Sequence, residues 1–164
     1  MLDQMQIAAG FVPVNLAAGA NNSDWVNLKS YARLLIVFFK SAAASGTEDP
    51  TITVLQATDV SGTGSKALNI ARSWTKTDAD LTTIGQFTAG APTNNTLTVG
   101  SSAQKAAIWA IEVRSAELDR ANNFNCVRAN VADVGAVEQL GCLMYILGEP
   151  RQADTPVLNP SALA

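Results

Sequence analysis

The chain has 164 residues, 48% of them hydrophobic and only 15% charged, with a net charge of -3 and no histidine. That length suits one domain with a sizeable core. The acidic balance and 11 scattered Lys and Arg argue against a nucleic-acid binder, and no apolar run approaches the roughly 18 residues of a helical membrane span.

Charge is scarce compared with the usual quarter or so of residues. Part of the surface must therefore be Ser, Thr, Asn, Ala and Gly, which defend poorly against association. The expectation is a protein that packs against copies of itself or a partner; the bland alternative is a monomer with a plain polar surface. Residues 1–6 carry an acid and no Lys or Arg before the apolar positions, unlike a secretory signal. Synthesis in the cytosol is expected, with Cys126 and Cys142 as reduced core thiols. They lie in neighbouring candidate strands, so adjacency stays open.

In chain order, residues 1–10 show little pattern and read as an arm. Residues 11–16 read as an edge strand, because Pro13 cannot donate to a central ladder. Small and turn-forming residues follow at 17–24. A short strand at 25–28 leads to 33–40, the run around which the chain is organised. Six successive apolar residues, Leu34 to Phe39, lie between Arg33 and Lys40. A run this short and this rich in Ile, Val and Phe predicts a central strand covered on both faces.

The next strand, 51–57, is dense in β-branched residues. Asp59, Ser61, Gly62 and Gly64 mark a tight turn, and 67–76 reads as its hairpin partner. Residues 77–81 read as a turn, with weak strands at Phe87 and 97–99. Residues 105–114 alternate clearly: Ala107, Trp109, Ile111 and Val113 face one way, and Ile108, Ala110, Glu112 and Arg114 the other. Ser115 can cap one helical turn over 115–121. Strands at 126–131 and 140–147 complete the set. The segment 149–164, with three prolines, reads as an extended tail after a domain at 11–148. Eight to ten strands with at most one short helix predict an all-β fold, an antiparallel sandwich or closed barrel.

The absence of histidine removes the usual general base, the Ser-His and Cys-His pairs and most catalytic zinc sites. Asp59, Ser61, Thr63 and Gly64 mimic part of a calcium loop, but Ile70 stands where a bidentate Glu is required. Residues 62–66 lack the full spacing of a phosphate cradle. The acid pairs Glu48 with Asp49 and Asp78 with Asp80 lie in predicted turns without aromatic neighbours, which suits solvated turns better than glycoside hydrolysis. Asn21 and Asn94 head glycosylation sequons that read as chance matches without a signal. Trp25 and Trp109 read as core anchors. Trp74, among polar residues, is the best candidate for an exposed contact. The chain is therefore expected not to be an enzyme, and no catalytic residue, cofactor or metal ligand is assigned.

The order of residues 25–31, the central apolar strand and the stretch Leu55-Gln-Ala-Thr-Asp-Val-Ser-Gly-Thr-Gly-Ser-Lys-Ala67 resembles small virion proteins of tailed bacteriophages. The likeness spans mainly 25–76 and loosely the closing strands. It implies a capsid decoration or cement protein, often a jelly-roll-like β-sandwich, that binds the outside of the head. The partners it implies are further copies, as a dimer or trimer, and a phage major capsid protein. The implied location is the virion surface, after assembly in the host cytoplasm. A tail tube or terminator subunit and a carbohydrate-binding module are the alternatives. Phe11, Val12, Trp74, Val157 and Leu158 are the expected contact residues.

Overall fold

The computed structural model of the chain describes residues 4–78, 81, 85–98, 100 and 103–151. These residues form two antiparallel sheets packed face to face. Sheet A joins β1 (Met5–Asn15), β12 (Leu140–Pro150), β4 (Tyr31–Lys40), β10 (Ala106–Arg114), β7 (Arg72–Asp78) and β8 (Thr88–Ala89), in that order. Sheet B runs from β2 (Asn21–Asn22) through β11 (Cys126–Val131) and β5 (Thr51–Ala57) to β6 (Lys66–Ala67). Beside β2, β3 (Val26–Asn27) also pairs with β11; beside β6, β9 (Thr96–Thr98) also pairs with β5.

Each of those side-by-side pairs occupies one strand position, because the opposite edge of its neighbour is already used. The eight positions then run 1-8-3-6 in sheet A and 2-7-4-5 in sheet B. That order is a jelly roll, the product of two Greek keys. The β7–β8 hairpin is an insertion that widens sheet A beyond position six.

The core lies between the sheets. Sheet A contributes Leu34, Ile36, Phe38, Trp109, Ile111 and Tyr145; sheet B contributes Ile52, Val54, Val127 and Val131. Phe38 sits between Trp109 and Phe11, with ring centroids 5.1 and 6.4 Å away. Burying a side chain of this size contributes about 2–3 kcal/mol.

Several local expectations are corrected. The supposed arm is strand from Met5 onward, paired with β12. Its Ala and Gln residues hide the alternation that its partner reveals. β1 is an edge strand, and two register shifts accommodate the region around Pro13. Only Lys66–Ala67 pairs with β5 as a hairpin. Beyond it, buried Leu68 and Ile70 carry the chain across the sandwich, so that β7 joins sheet A. The helical segment is two 3-10 turns, Ser115–Glu117 and Arg120–Asn122. Ser115 does not cap; its buried hydroxyl accepts from Arg151 Nη2 at 2.5 Å. β12 extends through Pro150, so the tail expected from 149 is strand at its start. Residues 152–164 lie outside the described residues.

The turn after β5 is held by Asp59, whose Oδ1 accepts from the amides of Ser61 and Thr63. Gly62 there has φ +82°, and a Cβ on it would lie 2.6 Å from Trp25 Nε1. Thus the Asp59 carboxylate, first of the residues that mimic a calcium loop, is engaged by the turn's own backbone amides, and Gly62 within the turn lies against an aromatic ring.

Candidate functional site: the outer face of sheet A

Paired residues in an antiparallel ladder point to the same face. The register therefore lets the outer surface of each sheet be read rung by rung. In sheet A one rung runs Ala9, Met144, Val37, Ala110, Trp74, Ala89 across all six strands. No member of that rung is polar. The rung beside it begins Ile7, Ile146, Leu35. On the other side lie Cys142, Phe39 and Ile108, and that rung ends on Lys76 of β7. Ile7 is 54% exposed, Met144 41% and Phe39 39%.

Here the expectation for the central strand is corrected. β4 was expected to be covered on both faces. Tyr31, Leu34, Ile36 and Phe38 are buried against sheet B, but Leu35, Val37 and Phe39 face outward and keep part of their surface in solvent. A run apolar at every position looks the same whether its second face meets a helix layer, a partner or water.

The outer face of sheet B is of opposite character. Its rungs hold Asn22, Asn130, Thr53 and Thr96, then Thr51 with Thr98, then Arg128 with Leu55. Thr51 and Thr98 share a 2.6 Å hydroxyl hydrogen bond. Arg128 lies 4.7 Å over the Trp25 ring, closing that end of the sheet. Such a face presents mostly hydroxyl, amide and guanidinium groups, whereas the face of sheet A leaves large apolar groups exposed side by side.

One end of the apolar face is ringed by ions. Glu112 Oε1 accepts from Arg114 Nε at 3.1 Å and Arg72 Nε at 3.2 Å, with Arg33 Nη1 at 3.8 Å. Arg72 also reaches Glu117 at 2.5 Å, and Arg33 pairs with Glu149 at 2.7 Å. Burial pushes the Glu112 carboxyl up, but the Arg114 hydrogen bond and the charges of Arg72, Arg114 and Arg33 outweigh it and hold the group below the usual range. A depression of about 400 Å³ opens at this end, lined among others by Met5, Arg33, Leu35, Ile146 and Glu149. Arg33 and Glu149, each about half exposed, contribute little to stability as a pair, whereas Arg72, Glu112 and Glu117 are partly buried.

The expected contact residues are scattered. Val12 is 65% exposed on β1. Phe11, one residue earlier, packs against the core beside Phe38. Trp74 is half-buried on the outer face of sheet A, between Ala110 and Ala89, with three strands separating it from β1. Val157 and Leu158 lie outside the described residues. Sequence reasoning missed Leu35, Val37, Phe39, Met144 and Ile146 as surface residues. The signal was present in the unbroken apolar runs of β4 and β12.

Cys126 is buried in β11 of sheet B, and Cys142 is half-buried on the outer face of sheet A. Both are free thiols, so no bridge joins them, and Cys142 is a surface group of the apolar face rather than a core thiol. Among the described residues no three His, Cys, Asp or Glu side chains converge as metal ligands, and no helix is long and apolar enough to cross a membrane. Asp80, one half of an expected acid pair, lies outside the described residues.

No family model matches the chain, and no curated protein matches its sequence. Among solved structures, the SPBc2 prophage-derived protein YomS aligns with a TM-score of 0.45 at 10% identity, over 88% of this chain and 93% of that one. The structure of infectious bursal disease virus Gx strain aligns with a TM-score of 0.26 at 9% identity, over 90% of this chain and 41% of that one. At these scores neither likeness says what this chain does.

Proposed function

We propose that this chain is a non-enzymatic virion structural protein of a tailed bacteriophage, a capsid decoration or cement protein that binds the major capsid protein lattice as an oligomer. The observation that carries the reading is the contrast between the two outer faces. One is largely Thr, Asn and Arg; the other carries an apolar rung through all six strands, with ions at one end. A chain with only 15% charged residues and such a face is built to be covered by protein. The resemblance of residues 25–76 to small virion proteins favours a phage head as the setting. A jelly roll is compatible with that role but does not by itself imply it.

The carbohydrate-binding alternative is less well supported. A sugar platform needs an exposed aromatic ring, and Trp74 is half-buried between Ala110 and Ala89, with Arg72 and Lys76 beside it along β7.

The test is co-sedimentation of the purified chain with empty shells assembled from the major capsid protein of the same phage. Saturable binding and a higher shell disruption temperature are expected. Absence of binding to shells would overturn the head assignment, and binding to tails instead would move the protein to the tail tube or terminator.

A further inference from the structure

We propose that the outer face of sheet A binds the same face of a second copy, giving a two-fold dimer in which four β layers stack. The inference rests on reading that face as a contact surface, and is independent of which larger particle the dimer joins.

Area supports it first. The four spacings of about 4.8 Å between five strands, and the ten rises of about 3.4 Å along the 11 residues of β12, enclose roughly 650 Å² on each copy. Two such faces bury roughly 1,200–1,400 Å², within the range of specific, stable interfaces. Shape supports it next. A twisted sheet is matched best by another sheet of the same twist, packed at about 10 Å. The central rung alternates small and large groups, with Ala9, Ala110 and Ala89 forming hollows beside Met144 and Trp74. Two copies can interdigitate there.

Charge is the third support. The ion cluster contains Arg33, Arg72 and Arg114 with Glu112, Glu117 and Glu149, three of each sign. A surface that meets itself across a two-fold axis must not repel itself. A neutral cluster offering both signs meets that condition, and lets Arg of one copy face Glu of the other.

The experiment is sedimentation equilibrium of the full chain at micromolar concentration, with maleimide labelling of Cys142 as a second reading. The wild type is expected to be a dimer whose Cys142 reacts at least tenfold more slowly than in a monomeric variant. Val37→Glu and, separately, Met144→Glu are expected to give monomers with an unchanged far-ultraviolet circular dichroism spectrum. Thr53→Glu on the opposite face is expected to remain a dimer. A monomeric wild type, or a dimer that survives both face variants, would overturn the proposal. Should the wild type be monomeric while Val37→Glu abolishes shell binding, the face belongs to the shell; the second-copy inference then falls and the decoration reading stands. Should the dimer behave as expected while shells bind no version of the chain, the decoration reading falls and this one stands.

Discussion

The hydroxyl of Tyr145, pointing inward from sheet A, is hydrogen-bonded to the hydroxyl of Ser23, which precedes β3 at the rim of sheet B. The amide of Ala129 in sheet B donates to both oxygens, at 3.0 Å to Tyr145 and 3.2 Å to Ser23. Three polar groups thus satisfy one another inside an apolar core and tie one layer to the other. Burial pushes the Tyr145 phenol up to about 12, although the Ser23 and Ala129 bonds pull it back.

Tyr145→Phe removes one oxygen and leaves the Ala129 amide with Ser23 alone. The expected loss is about 1–2 kcal/mol in urea unfolding. Ser23→Ala is expected to cost a similar amount, and the double variant more than the sum, because either hydroxyl alone still accepts from the Ala129 amide and only the double variant leaves that buried donor without a partner. Additive losses would mean that the three groups do not act as a unit.

Lys40 closes the end of β4 with its side chain fully buried. Its Nζ donates to the carbonyls of Ala103 at 2.8 Å and Lys105 at 2.7 Å, which anchors the approach to β10. Burial lowers its pKa, opposed by the charge of Asp49. Lys40→Met keeps the stem but leaves two carbonyls without that donor. A loss of about 2–3 kcal/mol is expected, together with faster amide hydrogen exchange at Lys105 and Ala106. Unchanged stability would show that water replaces the ammonium at no cost.

Cys126 supplies the pH dependence. Burial first of all, with the charge of Asp59 adding to it, pushes its thiol up to about 11 from 9.0. A raised thiol means that the folded state keeps its proton where the unfolded state loses it. The contribution to stability is complete below pH 9 and is lost as pH rises towards 11. Lys40, shifted the opposite way, loses its penalty as pH rises, so the thiol must be isolated by comparison. Relative to Cys126→Ala, the wild type is expected to lose about 1–1.5 kcal/mol between pH 8 and pH 10. Urea unfolding of both chains under reducing conditions measures it. Parallel pH profiles would show that the thiol titrates normally in the fold.

The alternation in β10 and the β-branched density of β5 were legible because side-chain direction along a strand is a local property, repeating every two residues. Pro13 likewise marked an edge, since a missing donor is a fact about one residue. The contact surface was only half legible. The apolar residues of β4 were plain, but their division into a core set with Phe38 and a surface set with Phe39 depends on what lies across each face. Trp74 drew notice for its polar neighbours in sequence; Arg72 and Lys76 flank it on the same face of β7, but across the sheet it lies between Ala110 and Ala89.

From its residues alone the chain was determined to be all-β, poor in charge, and without the histidine that most proton-transfer chemistry near neutral pH uses. Only the tertiary structure decided that residues 5–10 are strand, that the chain crosses between sheets after Ala67, and that one apolar face is left uncovered. Those outcomes depend on pairings between residues far apart in sequence, such as Ile7 with Ile146 and Trp109 with Phe38. Periodicity says that a strand has two faces; only its distant partners decide which face is the core.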